Sequence, residues 1–174
     1  RATTLTTING LGKITNSSGV ITDFTLAGTS TNTFDGIIED GNGGGKIQLI
    51  KTGLNSLVLT GGNTYTGNTT VTSGVLKLGA SNVLSNSSNL YLNGGEFNTN
   101  GFTESLGSLN ILNNSIIRLD SSVVYSLTFA SMGTITTGRS IIIYGWRGFD
   151  LDKAVTKNGF VGNASTVSTL FAPL

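Results

Sequence analysis

A short pattern recurs along the chain, in which two apolar residues flank one other residue and a Gly, Asn, Ser or Asp follows. Because successive side chains of a β-strand point to opposite faces, this alternation predicts short strands that bury one face. No window keeps apolar residues at helical spacing over several turns, so helices are not predicted. The pattern occurs at residues 57–59, 76–78, 90–92, 109–111, 117–119, 127–129 and 141–143.

The spacing of these strands indicates how they are arranged. Several follow one another at steps of roughly 14 to 19 residues, which would accommodate a coil of two or three strands joined by turns. We therefore predict a single-domain parallel β-helix, or β-solenoid, in which inward Leu, Ile and Val form continuous columns. A β-sandwich or jelly roll is the alternative, because Asn93-Gly94 and Asn100-Gly101 are typical of two-residue hairpin turns.

The composition excludes several classes of function. Ten basic and nine acidic residues among 174 are too few and too balanced for a nucleic-acid interface or a polybasic membrane patch. The chain has no Cys and no His, which removes disulfides, thiolate metal sites and the commonest general base. No apolar run approaches the ~20 residues that span a bilayer. We expect no catalytic residue, no cofactor, no metal, no nucleic-acid partner and no membrane insertion by this segment.

The most specific motif lies in residues 33–78. It contains the stretches 33–41, 49–53 and 57–78, and the last of these reads LTGGNTYTGNTTVTSGVLKL from Leu59 onwards. This segment resembles the autotransporter-associated β-strand repeat of large secreted bacterial proteins. The resemblance implies a right-handed parallel β-helix in an extracellular location, on the bacterial cell surface or in an autotransporter passenger. Residues 106–109, 127–129 and 141–146 are more loosely similar to the segment that closes the helix in such proteins.

We interpret the chain as one solenoid domain with four parts. Residues 1–32 are predicted to form N-terminal strands and a cap, 33–78 the repeat, 79–140 further coils and 141–174 a C-terminal capping segment. Within the repeat, Tyr65 is expected to pack at a corner, with its hydroxyl bound to water or to the backbone.

Two features invite a chemical interpretation. Residues 40–46 are glycine-rich, but Asp40 replaces the first Gly of a phosphate loop and Ile47 stands where Ser or Thr would bind magnesium, so a turn between coils is predicted. Many β-helix proteins degrade polysaccharides with clustered carboxylates. Asp35, Glu39 and Asp40 could cluster, and Asp150 and Asp152 share one strand face near Arg147. Ordinary surface charge is the interpretation we favour for both groups.

Aromatic residues are densest at Tyr144, Trp146 and Phe149, with Arg147 between them. Aromatic rings beside an Arg can stack on sugars, which makes this group a candidate glycan or partner contact. The competing interpretation is that Trp146 covers the open core of the last coil.

The two ends of a β-helix expose strand edges that can pair with another chain. The candidate assembly residues are Leu5, Ile8, Leu170 and Phe171. The function we predict is a non-enzymatic, extracellular structural or adhesive surface protein that assembles end to end, or by strand exchange, into a filament or sheath. The expected partners are other copies of the chain, the remainder of a longer surface protein, glycans or a host or cell surface. The alternative function is a polysaccharide-binding or polysaccharide-degrading β-helix.

Overall fold

The computed structural model describes residues 2–119 and 126–145, and all regular elements in these ranges are β-strands. The all-β prediction is therefore confirmed. The strands are β1 (Ala2–Leu5), β2 (Lys13–Thr15), β3 (Thr22–Leu26), β4 (Asn32–Phe34), β5 (Ile37–Glu39), β6 (Ile47–Lys51), β7 (Ser56–Leu59), β8 (Thr69–Val71), β9 (Val75–Leu78), β10 (Leu90–Asn93), β11 (Glu96–Asn98), β12 (Glu104–Asn113), β13 (Ser115–Arg118), β14 (Leu127–Ile135) and β15 (Ile141–Tyr144).

The strands form a parallel β-solenoid of about 6 turns. The first sheet has the order β1-β3-β6-β8-β10-β12-β14, the second β4-β7-β9-β11-β13-β15, and the third contains β2 and β5. Every ladder is parallel, and strands that are consecutive in the chain lie in different sheets. Asn93-Gly94 turns the corner between β10 and β11 rather than closing a hairpin, so the sandwich alternative is wrong.

Most coils are longer than the sequence predicted. Hydrogen bonds between neighbouring coils join residues 19 to 26 positions apart. The predicted step of roughly 14 to 19 residues matches the observed coils only at its upper end. Its lower end treats Leu76 and Leu90 as equivalent positions, although they lie in the second and first sheets. The true equivalents are Leu57 with Leu76, and Leu90 with Leu109.

Inward side chains of successive coils stack in columns that fill the interior. One column of the second sheet consists of Leu57, Leu76, Phe97, Ile117 and Ile143. Asn110, which was predicted to point outward, is instead buried. It follows a shift in register between β12 and β14, and its Oδ1 accepts a hydrogen bond of 2.8 Å from Thr134 N.

The corners between sheets are tight because the backbones of neighbouring coils approach closely. A Cβ atom on Gly61 would overlap the carbonyl oxygen of Gly36, and one on Gly36 would overlap the carbonyl oxygen of Gly12. Gly62, by contrast, has no atom within 4 Å of the position of a Cβ. A side chain at residue 61 therefore obstructs coil stacking, whereas one at residue 62 meets open space.

The Gly61→Ala substitution should lower the free energy of unfolding by roughly 1–3 kcal/mol, because the added methyl group forces two backbones apart. The matched Gly62→Ala substitution should be neutral or slightly stabilising, since it only restricts the unfolded chain. Urea denaturation of both variants provides the measurement. Equal destabilisation by the two substitutions would contradict this account of the corner.

Candidate functional site

The third side of the solenoid has a sheet only in its first coils, and polar side chains hold the later coils together. Asn63 Oδ1 accepts a hydrogen bond of 2.8 Å from Ile38 N in the preceding coil. Asn63 Nδ2 donates one of 2.7 Å to Val83 O in the following coil. One buried amide thus connects three coils.

Glu104 has a similar role in the next coil, where its side chain binds backbone groups of the preceding one. Its Oε2 accepts hydrogen bonds from Val83 N at 2.9 Å and Leu84 N at 3.1 Å, and its Oε1 accepts one from Ser105 N. The side chain is 0% exposed. Burial raises the pKa of Glu104 to about 7, although the amide donors favour the ionised form.

Two further polar groups lie inside the columns. Lys51 occupies an inward position of β6, and its Nζ donates to the carbonyl oxygens of Thr52 at 2.8 Å and Gly53 at 2.9 Å. Burial lowers the pKa of Lys51 to about 8. The Tyr65 hydroxyl lies 2.6 Å from Thr69 Oγ1, so its partner is a side chain rather than the water or backbone predicted. These groups are sealed from solvent, so their role is in packing.

Tyr144 is the member of the predicted aromatic group that the structure places. It ends β15 on the outer face of the second sheet and is 45% exposed. The Arg118 guanidinium lies 4.6 Å from the centre of its ring. Arg118 in turn makes a two-pronged ion pair with Glu96, at 2.8 Å from Nε to Oε1 and 3.0 Å from Nη2 to Oε2. Trp146, Arg147 and Phe149 lie outside the described residues.

The sequence analysis did not find Arg118 or Glu96. Both occupy outward positions of short strands in adjacent coils, and the alternation pattern marks each of them only as polar. The missing information was the coil length, which brings residues 22 positions apart into contact. The hydrogen-bonded Glu96 carboxylate raises the pKa of Arg118 above its usual value, so the pair stays charged.

The acidic residues 35, 39 and 40 do not form a shared carboxylate site. Asp35 accepts a hydrogen bond from the Thr60 hydroxyl, and Glu39 pairs with Lys13 at 3.1 Å. Asp40 accepts hydrogen bonds from Ile47 N, across the corner between β5 and β6, and from Thr66 N in the following coil. Within residues 2–119 and 126–145, no three acidic side chains are grouped as a metal site would require. Asp150 and Asp152 lie outside the described residues.

The end of the solenoid contains two of the predicted assembly residues. Leu5 ends β1 and is 37% exposed, whereas Ile8 is buried and its backbone N donates to Asn32 Oδ1 at 3.0 Å. Ile8 therefore offers little surface to a partner. Leu170 and Phe171 lie outside the described residues, and the role of all four in assembly stays a prediction.

Asn63 and Tyr65, whose side chains make buried hydrogen bonds, both lie in the stretch that runs from β6 to the end of β9. Residues 49–78 match the passenger-associated-transport-repeat family. The predicted resemblance to an autotransporter-associated repeat is confirmed for this segment. A repeat of this kind indicates a secreted or surface protein. Searches of curated proteins and of solved structures found no match to the chain.

The geometry gives a physical role to the letters of the passenger-associated transport repeat. Leu57 and Leu59 fill the core, Gly61 allows the close corner, and Asn63 and Tyr65 make the buried hydrogen bonds described above. Gly67 lies against the carbonyl oxygen of Ile47, and a Cβ atom on residue 67 would overlap this oxygen. The residues of the repeat therefore provide the core packing, the close corners and the hydrogen bonds by which the coils stack.

In the part of the chain that the structure describes, no helix has the length and apolar character needed to cross a bilayer.

Glu104 generates a prediction about pH. The unfolded carboxyl ionises near 4.5 and the folded one near 7, so the unfolded state releases its proton first as the pH rises. The free energy of unfolding should therefore fall between about pH 4.5 and 7, by up to roughly 3 kcal/mol. Glu104→Gln removes this titration and should flatten the curve, which urea midpoints measured from pH 4.5 to 8 would test. A wild-type midpoint that rises with pH, relative to the variant, would contradict the assignment.

Proposed function

We propose that the chain is a non-enzymatic structural segment of a secreted bacterial surface protein, and that copies of it associate end to end. The supporting observation concerns one inward column of the first sheet. It is buried throughout its middle, but it is 37% exposed at Leu5 and 39% exposed at Ile135, its two ends. The column consists of Leu5, Leu26, Lys51, Val71, Leu92, Ile111 and Ile135.

Each end of this column belongs to an edge strand. Within the described ranges, β1 pairs only with β3 and β14 only with β12. The unpaired backbone N–H and C=O groups of such an edge can form hydrogen bonds with another strand that runs parallel to it. The opposite end of a second copy supplies such a strand, and Leu5 would then continue the column that ends at Ile135.

Additional apolar surface lies near the end of the solenoid that contains β1. Leu11 is almost completely exposed, and Val20 and Ile21 are each more than half exposed. Covering them would stabilise an end-on contact through the hydrophobic effect. Because the two contacting surfaces differ and lie at opposite ends of the solenoid, each contact adds a copy along its axis, which leads to a filament rather than a ring.

A backbone substitution can test this contact without breaking the fold. Ala27 N donates to Leu5 O, so the polar groups of Leu5 face β3. In a parallel ladder the groups of the neighbouring residue face the other way, and the N–H of Thr4 therefore points to the free edge. Proline is tolerated in an edge strand where its missing N–H faces solvent.

Thr4→Pro should weaken self-association at least about ten-fold, because it leaves a partner carbonyl unpaired and blocks close approach of the strand. Thr4→Val keeps the N–H and should behave as the wild type. Sedimentation velocity over a range of concentrations, with electron microscopy of the same samples, gives the measurement. A wild-type chain that remains monomeric at high concentration, or equal association of both variants, would refute end-to-end assembly.

Tyr144 supports a second candidate function, contact with a glycan. Its half-exposed ring lies beside a guanidinium and a carboxylate, and such groups can stack on a sugar and bind its hydroxyls.

If this surface binds glycans, Tyr144→Ala should weaken binding on a glycan array by roughly five- to ten-fold. Tyr91→Ala, on the outer face of the first sheet, is the matched control and should have no effect. No reducing ends should be released in the same incubations. Binding that is unchanged by Tyr144→Ala would exclude this surface.

A further inference from the structure

Four Asn-Gly pairs occur in the described part of the chain, at Asn9, Asn42, Asn93 and Asn100. Gly has no side chain to shield its backbone nitrogen, so this nitrogen can approach the side-chain amide carbon of the preceding Asn. The structure distinguishes the four pairs by the hydrogen bonds that hold them.

The reaction available to such a pair needs only water. The Gly nitrogen forms a bond to Asn Cγ and loses its proton to solvent. The Cγ–Nδ2 bond breaks, and Nδ2 takes up a proton from solvent and leaves as ammonia. Water then adds to either carbonyl of the resulting succinimide and gives Asp or isoaspartate. No electrons are transferred to or from another molecule, so no oxidant or reductant is required.

Two of the pairs are protected by coil stacking. Asn9 Oδ1 accepts a hydrogen bond of 3.0 Å from Thr33 N, and Gly10 N donates one of 3.1 Å to Thr33 O. Gly94 N, which follows Asn93 in the chain, donates to Ser115 Oγ at 2.9 Å. In both pairs the attacking nitrogen must first lose a bond to the next coil, so reaction requires local opening.

A third pair is held by its turn. Asn100 has a φ of 52° and Gly101 a φ of 78°, which are the left-handed values of a tight turn. Asn100 N also donates to Asn98 Oδ1 at 2.8 Å. The turn must change its backbone conformation before Gly101 N can approach the side chain.

Asn42 is held by none of these contacts. It is exposed in the turn between β5 and β6, with Gly on both sides, and the turn has one long hydrogen bond of 3.4 Å from Gly44 N to Gly41 O. Within the described residues, neither the Asn42 side chain nor Gly43 N makes a hydrogen bond. The neighbouring Asp40 joins the two ends of the loop through its bond with Ile47 N and also binds Thr66 N of the following coil. These bonds do not depend on residues 42 and 43.

Among the four Asn-Gly pairs in the described part of the chain, we propose that Asn42 is the site at which the folded protein undergoes spontaneous deamidation. The product has a carboxylate two residues from Asp40 and takes the formal charge from +1 to zero, since one neutral amide becomes one negative group. The coil stack remains intact, because the altered residue lies outside every ladder. The deamidated fraction should therefore increase with the age of the protein, while the solenoid stays folded.

The test is incubation of the native chain in H₂¹⁸O at mildly alkaline pH, followed by proteolysis and mass spectrometry to locate the ¹⁸O. Asn42 should convert at least about ten times faster than Asn9 or Asn93, because the attacking nitrogens of those two pairs are hydrogen-bonded. In denaturant this difference should disappear.

Asn42→Gln provides the matched control, because it keeps the amide but lengthens the ring that must form. Over the same period, the peptide of this variant that contains residue 42 should take up no ¹⁸O, and its thermal unfolding should be unchanged. Equal rates at Asn42, Asn9 and Asn93 in the folded chain would overturn the proposal, as would a stable Asn42 beside a reacting Asn100. The result does not depend on end-to-end assembly, so the two proposals can fail separately.

Discussion

Parallel pairing of each strand with its equivalents one coil before and one coil after is the interaction on which the rest of this structure depends. The distance between coils is set by backbone hydrogen bonds at roughly 4.8 Å, and every corner must accept that spacing. Gly36 and Gly61 occur where carbonyl oxygens of neighbouring coils leave no room for a Cβ. The apolar columns follow from the same constraint, because equal spacing places like positions directly above one another.

Where the sheet is interrupted, side chains take over the role of the backbone. Asn63 and Glu104 each bind backbone groups of an adjacent coil on the side that lacks a continuous ladder. This substitution requires buried polar atoms, and a buried carboxylate is costly unless it is hydrogen-bonded. The same side is therefore both the least regular part of the solenoid and the most dependent on particular residues.

The sequence predicted the strands and their stacking well, because alternation is a local property. Six of the seven apolar patterns have their middle residue outward, and the exception, Asn110, follows a register shift that no local rule reveals. The coil length was predicted poorly because strands of different sheets look alike. This error hid the contact of Glu96 with Arg118. The buried position of Lys51 was missed for another reason, because its charge suggests a surface location.

The unequal length of the coils has an evolutionary consequence. Leu49 is 25 residues beyond its equivalent Phe24, but Thr69 follows Leu49 after only 20, and the loop with Asn42 accounts for much of the difference. Asp40 joins the two ends of that loop through Ile47 N and binds the following coil through Thr66 N, so residues can be inserted in the loop without moving the next strand. The length and sequence of this exposed loop can therefore change during evolution while the inner columns keep their register.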